Sequence, residues 1–210
     1  MTYAVKEAFL TLQGEGVQAG SRAVFLRFAG CNLWSGREAD RASAQCNFCD
    51  TDFVGTDGEG GGKFKAAAAL ADHVAALWGD GDDSRLVVVT GGEPMLQLDA
   101  ALVEALHERG FRVAVESNGT LPAVAGVDWL CVSPKAGTDV IQRAGDELKL
   151  VWPQAGIDLG EIESWDFAHF LVQPMDCADR QAAVDAAIRL AMERPKWRLT
   201  LQAHKVVGLP

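Results

Sequence analysis

Short apolar segments recur along the chain and constrain its fold more than any other feature. They are rich in Val, Leu and Phe and bounded by Gly, Pro, Asn or Asp, a pattern typical of buried parallel strands. Three longer segments with helical spacing accompany them, at 63–79, 97–109 and 179–193. The alternation predicts an α/β chain. The predicted strands are 22–30, 85–92, 111–119, 128–134, 147–152 and 168–174.

About six strands and three long helices are too few for a closed eightfold barrel, which takes about 250 residues. We therefore expect a partial, open β/α barrel. The chain has 210 residues, 49% of them hydrophobic, which is enough to bury the core of one domain spanning 1–210. The Gly-rich run at 55–63 is predicted to be a flexible loop.

Charge and composition exclude several classes of function. The net charge is −10 and the chain has no stripe of Lys and Arg, which argues against nucleic-acid binding. The first ten residues carry Lys6 and Glu7 without an apolar h-region, and no apolar run is long enough to span a bilayer. We therefore expect a cytoplasmic protein that binds no membrane. Its five cysteines should be reduced and free to bind metal.

Three of these cysteines lie in the stretch "CNLWSGREADRASAQCNFCD", residues 31–50, directly after the first predicted strand. Fourteen residues separate Cys31 from Cys46, and two separate Cys46 from Cys49. Structural zinc takes four protein ligands and a thioredoxin-type redox pair takes two, whereas three thiolates suit a 4Fe-4S cluster with one open iron. Loops at this end of a strand build the active sites of α/β barrels. Cys131 and Cys177 are expected to be a core thiol and a loop thiol.

The next predicted strand ends in "VVVTGGEP". Gly91 and Gly92 would allow the backbone to approach a small ligand closely, and Thr90 and Glu93 flank that point. This motif is weak by itself, but after a strand that follows a three-cysteine loop it is strong evidence for a binding site.

Together these motifs resemble the radical S-adenosylmethionine (SAM) enzymes, most of which carry C-x3-C-x2-C and a "GGEP"-like turn. The first cysteine interval here is about eleven residues longer than that pattern, a change of little energetic consequence if the insertion loops out. The long interval, "LTLQGEG" near the start and "HKVVGLP" at the end are similar to one family among them, the 7-carboxy-7-deazaguanine synthases of the queuosine and deazapurine route.

The resemblance implies two cofactors, a 4Fe-4S cluster and SAM. Cys31, Cys46 and Cys49 would be the only protein ligands of the cluster, and one electron from it would cleave SAM to a 5'-deoxyadenosyl radical. The SAM amino group would lie at Gly92 with Glu93 nearby. The other residues implied to contact SAM are Phe48, Asp50, Ser133, Pro134, Lys135, Gln173, Pro174, Met175 and Asp176.

The implied substrate is 6-carboxy-5,6,7,8-tetrahydropterin, which would lose ammonia in a lyase reaction. Arg27 is the predicted clamp for its carboxylate, although it could instead pair with an acid at the sheet end. Glu116 and His204 are candidate catalytic residues. Thr51 matches the family position for a Mg²⁺ ligand. The remaining substrate residues are Leu12, Gln13, Gly14, Glu15, Thr90 and Pro210.

The chain end should return to the open side of the barrel through a strand-like stretch at 197–204, held by Val206, Val207 and Leu209. The terminal carboxylate of Pro210 would then reach the pterin. The resemblance further implies a homodimer and a flavodoxin-like or other electron donor.

Two other functions share the cysteine motif. One is a radical SAM activase, or another small radical SAM enzyme with a different substrate, and only the substrate pocket distinguishes it. The other is a zinc or iron-sulfur binding module without catalytic activity, in which Cys177 or a histidine supplies the fourth ligand.

Overall fold

The computed structural model describes residues 2–81 and 83–209. Within them, nine strands form one sheet in the order β3-β1-β2-β4-β5-β6-β7-β8-β9. β3 and β9 are its two edge strands and do not pair with each other. The sheet is therefore an open partial barrel, as predicted. Its strands are β1 Tyr3–Leu12, β2 Arg22–Phe28, β3 Gly62–Phe64, β4 Leu86–Gly91, β5 Arg112–Ser117, β6 Trp129–Val132, β7 Ala144–Trp152, β8 Asp166–Pro174 and β9 Trp197–Leu199.

All six predicted strands are confirmed, as β2 and β4–β8, and each pairs in parallel with the next. Three further strands extend the sheet. β1 and β3 pair antiparallel on one side, and β9 adds in parallel to β8 on the other. The Gly-rich run predicted to be a loop contains turns but ends in β3, because Gly62 and Lys63 pair with β1.

The three predicted helices are confirmed with shifted ends. They are α1 Ala67–Trp78, α2 Ala100–His107 and α4 Arg180–Glu193, and two short helices, α3 Leu159–Glu163 and α5 Ala203–Val207, join them. Asp99 and Asp179 begin α2 and α4, where each side chain accepts a hydrogen bond from a free backbone N–H of the first turn. None of the helices in the described part of the chain is both long and apolar enough to cross a membrane.

The two faces of the sheet differ in chemistry. On the outer face, alternate residues such as Leu26 and Val89 are fully buried and pack with Leu70 of α1 and Leu102 of α2 in one apolar core. Each fully buried side chain of this size contributes about 1.5–3 kcal/mol. Strand alternation turns the intervening residues to the inner face. A small apolar cluster around Val88 occupies part of that face, and polar and charged side chains occupy much of the rest. One continuous sheet supports the prediction of a single domain, which stays a prediction.

Candidate active site

A pocket of about 320 Å³ opens where the parallel strands end and extends along the inner face of the sheet. It brings together most of the predicted site residues, although they come from many different strands and loops. Those that line it are Leu12, Gln13, Glu15, Arg27, Cys31, Cys46, Phe48, Cys49, Asp50, Thr51, Thr90, Gly92, Glu116, Ser133, Lys135, Gln173, Pro174, Asp176 and His204.

Four predicted residues in the described part of the chain are not among those that line the pocket. Gly14, Pro134 and Met175 stand next to residues that do, and their contacts to the pocket stay predictions. Glu93 is buried behind the lining. Pro210 lies outside the described residues, so its predicted contact with the substrate is untested.

The three cysteines of the loop at 31–50 lie at this pocket. Cys46 is buried, and Cys31 and Cys49 are half-buried. A hydrogen bond from the Cys46 thiol lowers the pKa of Cys49 to about 6, while burial raises the pKa of Cys31. The other two cysteines lie elsewhere, as predicted: the buried Cys131 thiol is 3.6 Å from Glu147 Oε1, and Cys177 is exposed. The pocket therefore offers three thiols.

The glycines at the end of β4 bring that strand against the cysteine loop. A Cβ on Gly92 would overlap the carbonyl oxygen of Gly30 and the Cys31 side chain, and Gly91 adopts a φ of 146° against Phe28. Only glycine permits this approach. The glycines therefore allow the cysteine loop to pack closely against the end of β4. The predicted approach of their backbone to a small ligand stays a prediction.

Glu93 joins the ends of β4 and β5. Its carboxylate is fully buried and accepts hydrogen bonds from Ser117 Oγ at 2.9 Å, Asn118 N at 2.7 Å and Met95 N at 2.9 Å. Burial raises the pKa of Glu93 more than these bonds lower it. With its oxygens engaged in this way, Glu93 supports the turn, and a direct contact with SAM stays a prediction.

A charged network crosses the inner face of the barrel. Lys149 of β7 donates to Glu15 Oε2 at 2.5 Å and Glu116 Oε2 at 2.7 Å, and Gln13 donates to the other oxygen of Glu116 at 2.8 Å. Burial alone would lower the pKa of Lys149, but the two carboxylates raise it well above its ordinary value. Burial likewise opposes the ionisation of Glu15, yet Lys149 and Gln202 bring its pKa below normal.

Sequence reasoning missed Lys149. The available signal was a lysine between leucines in the strand "ELKLVW", where a buried charge needs a partner. The partners could not be read from the sequence, since Glu15 lies 134 residues away.

Arg27 faces the pocket and carries an ion pair. Its Nε donates to Glu7 Oε1 at 2.7 Å, which is the pairing with an acid that the sequence left open. Its two terminal nitrogens make no hydrogen bond within the part of the chain described here. They remain available to an anion in the pocket, so the predicted clamp and the ion pair are compatible.

The chain end covers one side of the pocket through polar contacts. Lys205 Nζ lies 2.6 Å from Asp50 and 2.5 Å from Asp176, and the Ala203 amide donates to the Gly14 carbonyl at 2.8 Å. A side chain on Gly14 would overlap the ring of His204, so Gly14 permits this packing. β9 ends at Leu199, and α5 replaces the end of the predicted strand.

The expectation that apolar residues hold the chain end is wrong. Val206 and Val207 are 75% and 67% exposed. They lie on a short surface helix with no buried residue, whereas Lys205 reaches two carboxylates. Ion pairs, with Gln202 bonded to Glu15 and Asp50, fix this segment instead.

Comparison with known proteins agrees with this geometry. Residues 40–147 match the family described as the Radical SAM superfamily. The chain is 61% identical over 210 residues to 7-carboxy-7-deazaguanine synthase of Caulobacter vibrioides and 59% identical over 210 residues to that of Bordetella pertussis, covering 100% of each chain in both cases. It is also similar to the crystal structure of QueE from Escherichia coli, with a TM-score of 0.69 and 25% identity over 97% of this chain and 95% of that one.

Proposed function

The chain belongs to the 7-carboxy-7-deazaguanine synthase family of the radical SAM superfamily, and from this membership we propose how its pocket divides between cofactors and substrate. It is a carbon-nitrogen lyase that converts 6-carboxy-5,6,7,8-tetrahydropterin to 7-carboxy-7-deazaguanine with loss of ammonia, a step of queuosine and deazapurine biosynthesis. The observation that carries the proposal is that three thiols and a buried carboxylate-lysine network line one pocket.

Cys31, Cys46 and Cys49 would hold the 4Fe-4S cluster. The donor set fits, because three thiols share the pocket and the remaining two cysteines lie away from it. Together the cluster and SAM supply a 5'-deoxyadenosyl radical when both are bound. The task of the chain is to orient both groups and to exclude water. The hydrogen bond between Cys46 and Cys49 lowers the pKa of Cys49 and raises that of Cys46, so of this pair only Cys49 is favoured as the thiolate that a metal ligand requires.

SAM would occupy the part of the pocket that surrounds the cysteines. Phe48 and Asp50 flank the last cluster ligand, and Gly92 lies against Cys31. Lys135 is held by Ser133, to which its Nζ donates two hydrogen bonds of 2.7 Å. The residues proposed to complete this subsite are Pro134, Gln173, Pro174, Met175 and Asp176, with Glu93 as support for the turn.

The pterin would lie over the inner face of the sheet. Glu15 and Glu116 offer carboxylate oxygens to the N–H donors of its pyrimidine edge, and Lys149 holds both in place. The terminal nitrogens of Arg27 suit the substrate carboxylate. Further residues proposed to contact the substrate are Leu12, Gln13, Gly14, Thr90, His204 and Pro210, and Glu116 and His204 remain the candidates for proton transfer.

Thr51, which lines the pocket, would help to hold Mg²⁺, and the ion would offset the negative charge of the substrate carboxylate. Among the described residues, no group of three or more His, Cys, Asp or Glu side chains is arranged to hold a single metal ion. The proposed cluster site differs, because each of its three thiols would bind a separate iron. A Mg²⁺ site completed by substrate oxygens and water is consistent with this absence among the described residues, since Mg²⁺ often keeps several waters and few protein ligands. A flavodoxin-like electron donor, a homodimer and a cytoplasmic location are likewise proposals.

Anaerobic reconstitution tests the function. The loaded chain should convert the tetrahydropterin, in the presence of SAM and a reductant, to 7-carboxy-7-deazaguanine and one ammonia, identified by mass spectrometry and an ammonia assay. Omission of SAM is the control. Cleavage of SAM without that product would favour a different substrate, and a chain that binds only zinc would exclude radical chemistry.

A further inference from the structure

The insertion between the first two cysteines folds back onto the third. Its central part, Glu38–Ser43, is a 3₁₀ helix with no buried residue, so apolar packing of its own does not fix it. It is nevertheless attached to the rest of the loop, and a single side chain, Arg41, makes most of the attachment.

Arg41 joins three parts of the loop. Its Nη1 donates to the backbone carbonyls of Asn47 at 3.1 Å and Cys49 at 3.0 Å. Its Nε donates to Glu38 at 2.8 Å and 2.9 Å, and its guanidinium lies 4.1 Å from the centre of the Trp34 ring. The Glu38 carboxylate and the Trp34 ring thus orient the guanidinium so that its Nη1 points to the two carbonyls.

The aromatic contact connects Arg41 to the body of the protein. Trp34 is 8% exposed and meets Phe53 edge-on, with 5.6 Å between the ring centres, and Phe53 is 2% exposed. The two carbonyls that Arg41 holds flank Phe48 within the C-x-x-C turn. Fixing both peptide groups limits the directions in which the Cys46 and Cys49 side chains can point.

The long interval makes such a restraint necessary. A short segment between the first two cysteines would by itself keep them close together, whereas fourteen intervening residues leave their separation to other contacts. We propose that Arg41 is a positioning residue for the ligand pair Cys46 and Cys49, so that the insertion supplies the restraint that its own length removes. The inference rests on the proposed cluster site and needs nothing from the pterin subsite.

The test compares Arg41→Ala and Arg41→Lys with Arg37→Ala in the reconstituted full chain. Arg37 is a matched control, because it lies in the same insertion, carries the same charge and makes no side-chain hydrogen bond or ion pair to the described residues. The readouts are iron and sulfide per chain, the rate of iron loss to a chelator, and the electron paramagnetic resonance spectrum of the reduced cluster with and without SAM.

We expect Arg41→Ala to lose iron about tenfold faster than the parent and to give a broadened spectrum, because the turn then lacks both restraints. Arg41→Lys keeps the charge, but lysine cannot stack on Trp34 and donate to several acceptors as the planar guanidinium does. Its rate of iron loss should therefore lie between those of the parent and Arg41→Ala. Arg37→Ala should match the parent. Equal rates and spectra for Arg41→Ala and Arg37→Ala would overturn the proposal.

Circular dichroism of the cluster-free variants separates positioning from folding. If Arg41→Ala does not fold, Arg41→Lys decides alone, and a rate equal to that of the parent contradicts the proposal. Failure of the cluster proposal itself is distinguishable, since the parent would then bind no four-iron cluster at all.

Discussion

Replacing Lys149 by Met tests the charged network of the inner face. The Lys149 side chain is 4% exposed and pairs with Glu15 and Glu116, whose side chains are 14% and 24% exposed. Methionine has a similar length and no charge, so the substitution leaves two carboxylates facing each other without a cation. Removing one partner of a buried pair costs about 3–5 kcal/mol. For a chain of 210 residues this corresponds to a fall in Tm of roughly 6–20 °C.

The loss of stability caused by Lys149→Met should depend on pH. In the parent, the pKa of Glu15 is lower in the folded chain than in the unfolded chain. The stability that Glu15 contributes is therefore fully present above its unfolded-state pKa, and it is lost as the pH falls through its folded-state pKa. The pKa of Lys149 is raised, so its contribution is lost only in strongly alkaline solution. Without the ammonium, burial raises the pKa of Glu15. Acid then neutralises that carboxylate, and the destabilisation should be smaller at pH 5 than at pH 8.

Urea unfolding of the cluster-free chain at both pH values gives the measurement. Lys63→Met is the control, because Lys63 is exposed on the edge strand β3 and its substitution should change stability by less than about 0.5 kcal/mol. Adding Glu15→Gln to the Lys149→Met variant should recover part of the loss at pH 8. A loss below about 1 kcal/mol that is the same at both pH values would refute this account of the network.

Four further outcomes are expected. Cys49→Ala should abolish formation of 5'-deoxyadenosine, whereas Cys177→Ala, at an exposed thiol, should keep iron and activity. Arg27→Ala should weaken substrate binding about ten- to hundredfold in equilibrium titrations with the cluster intact, since a charge-assisted pair contributes about 1.5–3 kcal/mol. Mg²⁺ should raise the rate of the parent, and Thr51→Ala should reduce that rise. A tag fused after Pro210 should damage substrate affinity and turnover, while an N-terminal tag should not.

Different results would contradict each of these assignments. Retained SAM cleavage in Cys49→Ala with iron bound would remove it from the ligand set. Unchanged affinity in Arg27→Ala would leave Glu7 as the only partner of the guanidinium among the described residues. A rate that does not respond to a chelator of divalent ions would remove Mg²⁺ from the proposal. Equal behaviour of the two tagged chains would make the terminus an uninvolved tail.

Local features of the sequence determined the central architecture. The six parallel strands and three long helices follow from apolar periodicity and from the residues that end each segment, which are properties of short windows. The antiparallel strands β1 and β3 were harder to predict. The apolar pattern of β1 is interrupted by Lys6 and Glu7, yet the strand pairs with β2 and β3. The structure tolerates Lys6 there because its ammonium donates to Asp57 and to the Val54 carbonyl in a later loop. Those partners lie 51 and 48 residues away, beyond any local pattern.

The same division holds within the site. The spacing of Cys46 and Cys49 indicates ligands of one site, because only two residues separate them, which keeps them close in space whatever the rest of the chain does. The position of Cys31, with fourteen residues between it and Cys46, depends on contacts that the spacing does not show. Whether a charged residue from a distant part of the sequence lies at the same pocket depends on how the sheet curves and on where the C-terminal segment packs. Only the tertiary structure brings Lys149 to Glu15 and the more exposed Lys205 to Asp50, since a charge can take its partner from any element that reaches it. For Lys149 the partner is required, because its charge is buried.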